Sequence, residues 1–190
     1  MVLNLLCILC CLPFVTAGAS ITAMYYVLLR MRRQQETGIV KDFFHSFRQN
    51  LRQGVIFHLL FCAIAIILAL DLYVLWKFMA YELFYKILFG VLAVLSVYFC
   101  AICLYTYPLL AQFNNTVAGL LKNARFMSLK HIGHTIAMLL VTAAPWIAAL
   151  YVPYLLEWEI VIFLFIGFAA TAYFHAGYFV SIFDQYIHPE

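Results

Sequence analysis

Apolar residues run along this chain in stretches of about twenty, and polar and basic residues collect in the short connections between them. The stretches are Leu3–Leu29, Val55–Trp76, Ile87–Leu110, Ile136–Tyr154 and Ile160–Phe183, with Lys and Arg only at their ends. A helix rises 1.5 Å per residue and needs about 20 residues to cross a hydrocarbon core of about 30 Å. The pattern therefore predicts an all-α, polytopic transmembrane helix bundle of five spans. The first stretch is longer than one crossing requires. Pro13, Thr16, Gly18 and Ser20 interrupt it, and proline removes a helical hydrogen bond and crowds the preceding turn. One reading is a single kinked helix ending at Arg30. The other is a break between Pro13 and Gly18, which gives six membrane segments.

The two long connections carry helical patterns of their own. In Val40–Arg52, Val40, Phe43, Phe44, Phe47 and Leu51 share one face, and Lys41, Asp42, His45, Arg48, Gln49 and Arg52 share the other. Gly54 marks the expected exit into the second span. From Asn115 to Lys130, Val117, Leu120, Leu121 and Ala124 line one side, and Lys122, Arg125 and Lys130 are basic. Both segments read as basic amphipathic helices suited to a membrane surface or a partner's groove. The third span is expected to end at Tyr107–Pro108. Span four contains Pro145 and ends near Pro153. Gly167, Thr171, Ala172 and Ala176 give span five a small face for close helix packing. A weak echo between the two basic segments is compatible with a duplicated hairpin, and equally with charge placement alone.

Composition agrees with this pattern. Of 190 residues, 67% are apolar and 10% charged, whereas soluble domains carry about a quarter charged residues. The chain is expected to be one membrane domain. Six of its 11 Lys and Arg fall between spans one and two, and three between spans three and four. The positive-inside rule then makes loops 30–54 and 112–131 cytoplasmic. Tyr73, Trp76, Tyr81, Trp146, Tyr151, Tyr154 and Trp158 form the expected aromatic belt on the opposite side. These basic segments flank spans and suit anionic lipid, so lipid rather than nucleic acid is the expected contact. The start lacks a basic region and a cleavage site, so a removed signal peptide is not expected. Either the chain begins outside, or residues precede Met1.

Candidate chemistry is sparse. Cys7/Cys10, beside Cys11, and Cys100/Cys103 have CxxC spacing, but thiolates are costly in lipid and Cys there behaves as a small apolar residue. His131 and His134 sit three apart without a third ligand nearby in sequence. His58 and His175 lie deeper and need hydrogen-bond partners. No carboxylate lies in mid-span, and no HExxH, GxSxG or Walker pattern is present. No catalytic, cofactor or metal residues are assigned, and an enzyme is not expected; action on a lipid or lipid-linked sugar ranks third.

Specific strings carry a resemblance. Leu3-Asn4-Leu5-Leu6, then Pro13 through Tyr26, resemble the first block of the YesL-like family of bacterial membrane proteins. Asp42-Phe43-Phe44-His45-Ser46-Phe47-Arg48-Gln49-Asn50 resembles its second block. Tyr107–Phe113, with Leu121-Lys122-Asn123-Ala124, resembles its third. Family members usually carry a short amphipathic segment upstream of this start. The resemblance implies a multi-pass protein of the bacterial cell membrane, encoded near carbohydrate ABC importers and accessory to sugar uptake. Its implied partners are importer subunits, and a homo-oligomer is compatible. The expected docking residues are Phe43, Phe44, Phe47, Arg48, Lys122 and Arg125. Pro13, Thr16, Gly18, Ser20 and Pro108 are expected to set helix breaks and packing. The rival reading is a small-solute channel or carrier lined by Asn4, Thr16, Ser20, His58, Asp71 and His175.

Overall fold

The first helix ends just before Pro13, which decides between the two readings of the first apolar stretch. The computed structural model describes residues 1–35, 38–78 and 82–187. Helix α1 covers Val2–Cys11, a 3-10 turn covers Phe14–Thr16, and α2 covers Ala17–Arg32. The broken reading of the first stretch therefore holds: a 10-residue α1 reaches only about 15 Å, half the hydrocarbon core. Among the described residues, the remaining elements are α3 (Ile39–Phe78), α4 (Leu83–Gln112), α5 (Val117–Lys130), α6 (Ile132–Tyr151), α7 (Pro153–Ile162), a π turn at Phe163–Gly167 and α8 (Phe168–Ile187). Among the described residues, five helical stretches are long and apolar enough to cross a membrane: Phe14–Arg32, Ile39–Phe78, Leu83–Gln112, Ile132–Tyr151 and Leu156–Tyr186. The chain is an all-α, multi-pass membrane bundle.

The break at Pro13 is sealed by short hydroxyl side chains. Thr16 Oγ1 donates to the carbonyls of Cys10 (2.7 Å) and Pro13 (2.8 Å), and Ser20 Oγ donates to Cys7 O (2.8 Å). These bonds fold α1 back along α2, so carbonyls at the end of α1 are satisfied without water. Gly18 lies inside α2 and acts through packing.

Helix α3 corrects the reading of the first connection. The expected amphipathic segment and the second span form one helix of 40 residues, with no exit at Gly54. Its buried face is Phe43, Ser46, Asn50, Gly54, Phe57 and Phe61, spaced three or four apart. That face is rotated from the expected one because α2 packs closely there. Each step up α2 is matched by a step back along α3: Phe14 meets His58, Gly18 meets Gly54, and Arg30 meets Asp42. A Cβ on Gly54 would lie 2.7 Å from the Ala19 backbone. Such approach is open only to small residues, which is how helices associate tightly in lipid. Gly54 stays within the helix because its backbone is covered by α2 at Ala19.

Two expected ends also move. Helix α4 continues past Pro108 to Gln112, with Pro108 buried in its last turns. The stretch from Pro153, left between the fourth and fifth apolar stretches, is helical as α7 and joins α8 through the π turn, so the last helical run begins before the expected Ile160. Helix α5 appears as expected: Thr116 Oγ1 accepts from the Gly119 N–H (3.2 Å) and caps it, and Leu120, Ala124 and Met127 bury its inner face. Of the aromatic belt, Tyr73, Trp76, Trp146, Tyr151 and Trp158 are exposed on the surface. Tyr81 and the side chain of Tyr154 lie outside the described residues.

Helix α2 sits at the centre, against α1, α3, α4 and α8. Ala172, Ala176, Phe179, Ile182 and Phe183 of α8 are buried, so the small face expected on span five is used. Polar ties fasten one end of the bundle. Arg33 pairs with Asp184 (2.8 Å) and donates to Gln112 Oε1 (2.9 Å), and Gln53 donates to Asn115 O (3.1 Å). The two basic connections thus lie at the same end.

Candidate functional site

Asn4, His175, Tyr105 and Thr135 inside the bundle hold helices together. Asn4 is fully buried on α1. Its Nδ2 donates to Phe163 O (3.1 Å) and Leu164 O (2.8 Å), and its Oδ1 accepts from the Ala169 N–H (2.9 Å). Those are backbone groups around the π turn, where the helical ladder is shifted by one residue. His175 joins three helices: Nδ1 lies 3.2 Å from Tyr25 Oη on α2, and Nε2 lies 3.3 Å from Thr142 Oγ1 on α6. Tyr105 Oη meets Thr135 Oγ1 at 2.9 Å. An unsatisfied polar group in hydrocarbon costs several kcal/mol, so each of these bonds selects one helix arrangement.

This disposition scatters the residues expected to line a pore. Asn4 serves the π turn, Thr16 and Ser20 serve the end of α1, and His58 lies 3.6 Å from Cys62 Sγ against the Phe14 ring. Asp71 is exposed in a shallow cleft with Val74, Leu75, Leu88 and Leu92. His175 faces a separate cleft of about 410 Å³, with Tyr107 and Trp146 on its mostly apolar wall. Among the described residues, these two clefts each hold one of the six residues expected to line a channel. His131 Nε2 meets Tyr186 Oη at 3.2 Å, and among the described residues no three His, Cys, Asp or Glu gather as metal ligands would.

The expected docking residues divide. Phe43 is fully buried, stacked on Phe47 and edge-on to Phe44, so it is a core residue and not a docking contact. The cause is the rotated buried face of α3. Phe47 is half-buried, and Phe44 and Arg48 are exposed. On α5, Lys122 and Arg125 are exposed beside Phe126 and Leu129, which are 58% and 56% exposed. Of the packing residues, Pro13, Thr16, Gly18 and Ser20 act at the α1–α2 turn and its packing on α3, and Pro108 is buried within α4.

A second feature escaped the sequence. Between the end of α2 and the start of α3 lies an open cleft of about 800 Å³ lined by Tyr26, Arg30, Val40, Lys41, Asp42, Phe44, His45 and Arg48. Arg30 lies 3.5 Å from Asp42 Oδ1 and 3.4 Å from Tyr26 Oη, so two walls of the cleft are tied together. The helical spacing of Lys41, His45 and Arg48 marked one wall; the α2 wall required knowing which helix packs there.

Residues 1–72 match the model of a family described as "Protein of unknown function, DUF624", which is the YesL-like family. The resemblance holds over this stretch. It covers α1, α2 and most of α3, and therefore Asn4, the Pro13 turn, the Gly18–Gly54 contact and the basic cleft. It does not reach α5. No curated protein and no solved structure matches the chain.

Proposed function

We propose that this chain is a non-enzymatic, multi-pass protein of the bacterial cell membrane that holds a partner protein at its basic end, and that the partner is a subunit of a carbohydrate ABC importer. The observation that carries the reading is the outer face of α5. Lys122 and Arg125 stand there beside exposed Phe126 and Leu129, while Leu120, Ala124 and Met127 fix the helix to the bundle. An amphipathic helix seated on one face and apolar on the other offers a rigid, charged and apolar surface to a second protein. The importer as partner rests on the YesL-like resemblance. The same-end placement of the two basic connections supports a cytoplasmic location for residues 30–54 and 112–131, by the positive-inside rule.

The test is site-specific photocrosslinking from position 126 of the full chain in native membranes, with identification of the captured protein. Importer permease or ATPase subunits captured from position 126, and lost in the Lys122→Glu/Arg125→Glu variant, are the expected result. Capture of lipid or of a second copy alone, with the protein intact, overturns it.

A further inference from the structure

The structure assigns a second role to the other basic surface, independent of the partner reading: the cleft between the end of α2 and the start of α3 seats the phosphate headgroup of an anionic glycerophospholipid. Charge is the first reason. Arg30, Lys41 and Arg48 line the cleft with, among the described residues, one carboxylate, Asp42, which lies 3.5 Å from Arg30. Among the described residues neither Lys41 nor Arg48 is in an ion pair, and both are exposed. His45 stands between them, and its ring centre lies 6.4 Å from that of Tyr26. A phosphodiester entering the cleft meets cations from both helices, with Tyr26 Oη as a further donor.

The second reason is the surface leading away from the cleft. Val40 and Phe44 on its rim are 49% and 38% exposed. Along the same side of α3 follow Phe47, Leu51 and Val55, spaced three or four apart, and the helix continues unbroken into its lipid-exposed apolar part at Leu59. Acyl chains can lie on this stripe while the headgroup stays in the cleft. A free phosphate would use the cations but not the stripe. A soluble acidic ligand would leave Phe44 and Leu51 in water. The continuity of α3 through Gly54 is what joins the two surfaces, and a turn at that position would have separated them.

The experiment uses the full chain purified in detergent, exposed to phosphatidylglycerol or phosphatidylcholine and read by native mass spectrometry for retained lipid. Phosphatidylglycerol is retained in preference, and Lys41→Gln/Arg48→Gln lowers its retention roughly thirtyfold, as two cations near a phosphate should. The charge-matched Lys77→Gln/Lys86→Gln variant keeps it. Phe44→Asp also lowers retention while leaving the helical signal unchanged, which a headgroup-only site would not show. Equal loss in both charge-removed variants means diffuse attraction and overturns the proposal. Displacement of the lipid by about 10 mM inorganic phosphate, a concentration at which screening alone is weak, identifies a free-anion site and also overturns it. No preference between the two lipids does the same.

Discussion

Asn4 is the residue whose loss should be felt most per atom removed. Its amide makes three hydrogen bonds, at 2.8, 2.9 and 3.1 Å, to backbone groups at the π turn between α7 and α8. The side chain has no exposure to solvent or lipid. Asn4→Leu keeps a similar volume but removes every bond. Hydrogen bonds between helices in a membrane average about 0.6 kcal/mol each and reach about 1.7. Three of them give about 2 to 5 kcal/mol. The upper half applies if the freed Ala169 N–H and the two carbonyls find no replacement in the apolar interior. Against a whole-protein stability of about 5 to 15 kcal/mol, that is a large fraction. The measurement is reversible unfolding in mixed micelles, following helicity as denaturing detergent is added. Leu5, on the same helix and 56% exposed, supplies the comparison: Leu5→Ala should change stability by less than about 0.5 kcal/mol. If Asn4→Leu falls in that same small range, the bonds at the π turn contribute nothing net and the account of the α1–α8 junction is wrong.

Three further outcomes follow from particular contacts. Gly54→Ala should destabilise by about 1 to 3 kcal/mol in the same assay, because its Cβ would meet the Ala19 backbone at 2.7 Å; helix propensity alone predicts a gain of about 1 kcal/mol, so the sign decides between packing and propensity. Gln34 ends α2 at φ 55°, with the Gln35 N–H bonded to Arg30 O; Gln34→Gly should stabilise by about 1 kcal/mol by relieving the left-handed backbone. His131, at the α5–α6 corner, has its imidazole pKa lowered by partial burial first, and also by Lys130 and His134. Its neutral form is therefore favoured in the folded state, so stability is retained above the ordinary histidine pKa of about 6.5 and lost as pH falls through the lowered value. His131→Gln should flatten that acid-side loss; an unchanged pH profile counts against the assignment.

The sequence by itself determined the solvent of this protein and most of its helices. Twenty-residue apolar stretches need no partner to be recognised, because hydrocarbon forces every backbone group into internal hydrogen bonds and leaves the helix as the form open to these spans. The break at Pro13 and the inner face of α5 were legible for local reasons: a ring that cannot donate, and a 3.6-residue period. Tertiary structure decided which face of α3 is buried. Phe43 and Phe44 are adjacent aromatic residues of the same type, yet one is core and the other surface, because α2 packs closely at Gly54 and so buries the face of α3 that carries Phe43, Ser46, Asn50 and Gly54. It also decided the partners of Asn4 and His175. A buried polar side chain announces that it needs hydrogen bonds, but groups 33 to 159 residues away in the chain supply them, and only the packing of α1, α2, α6 and α8 brings those groups within 3 Å or so of one another.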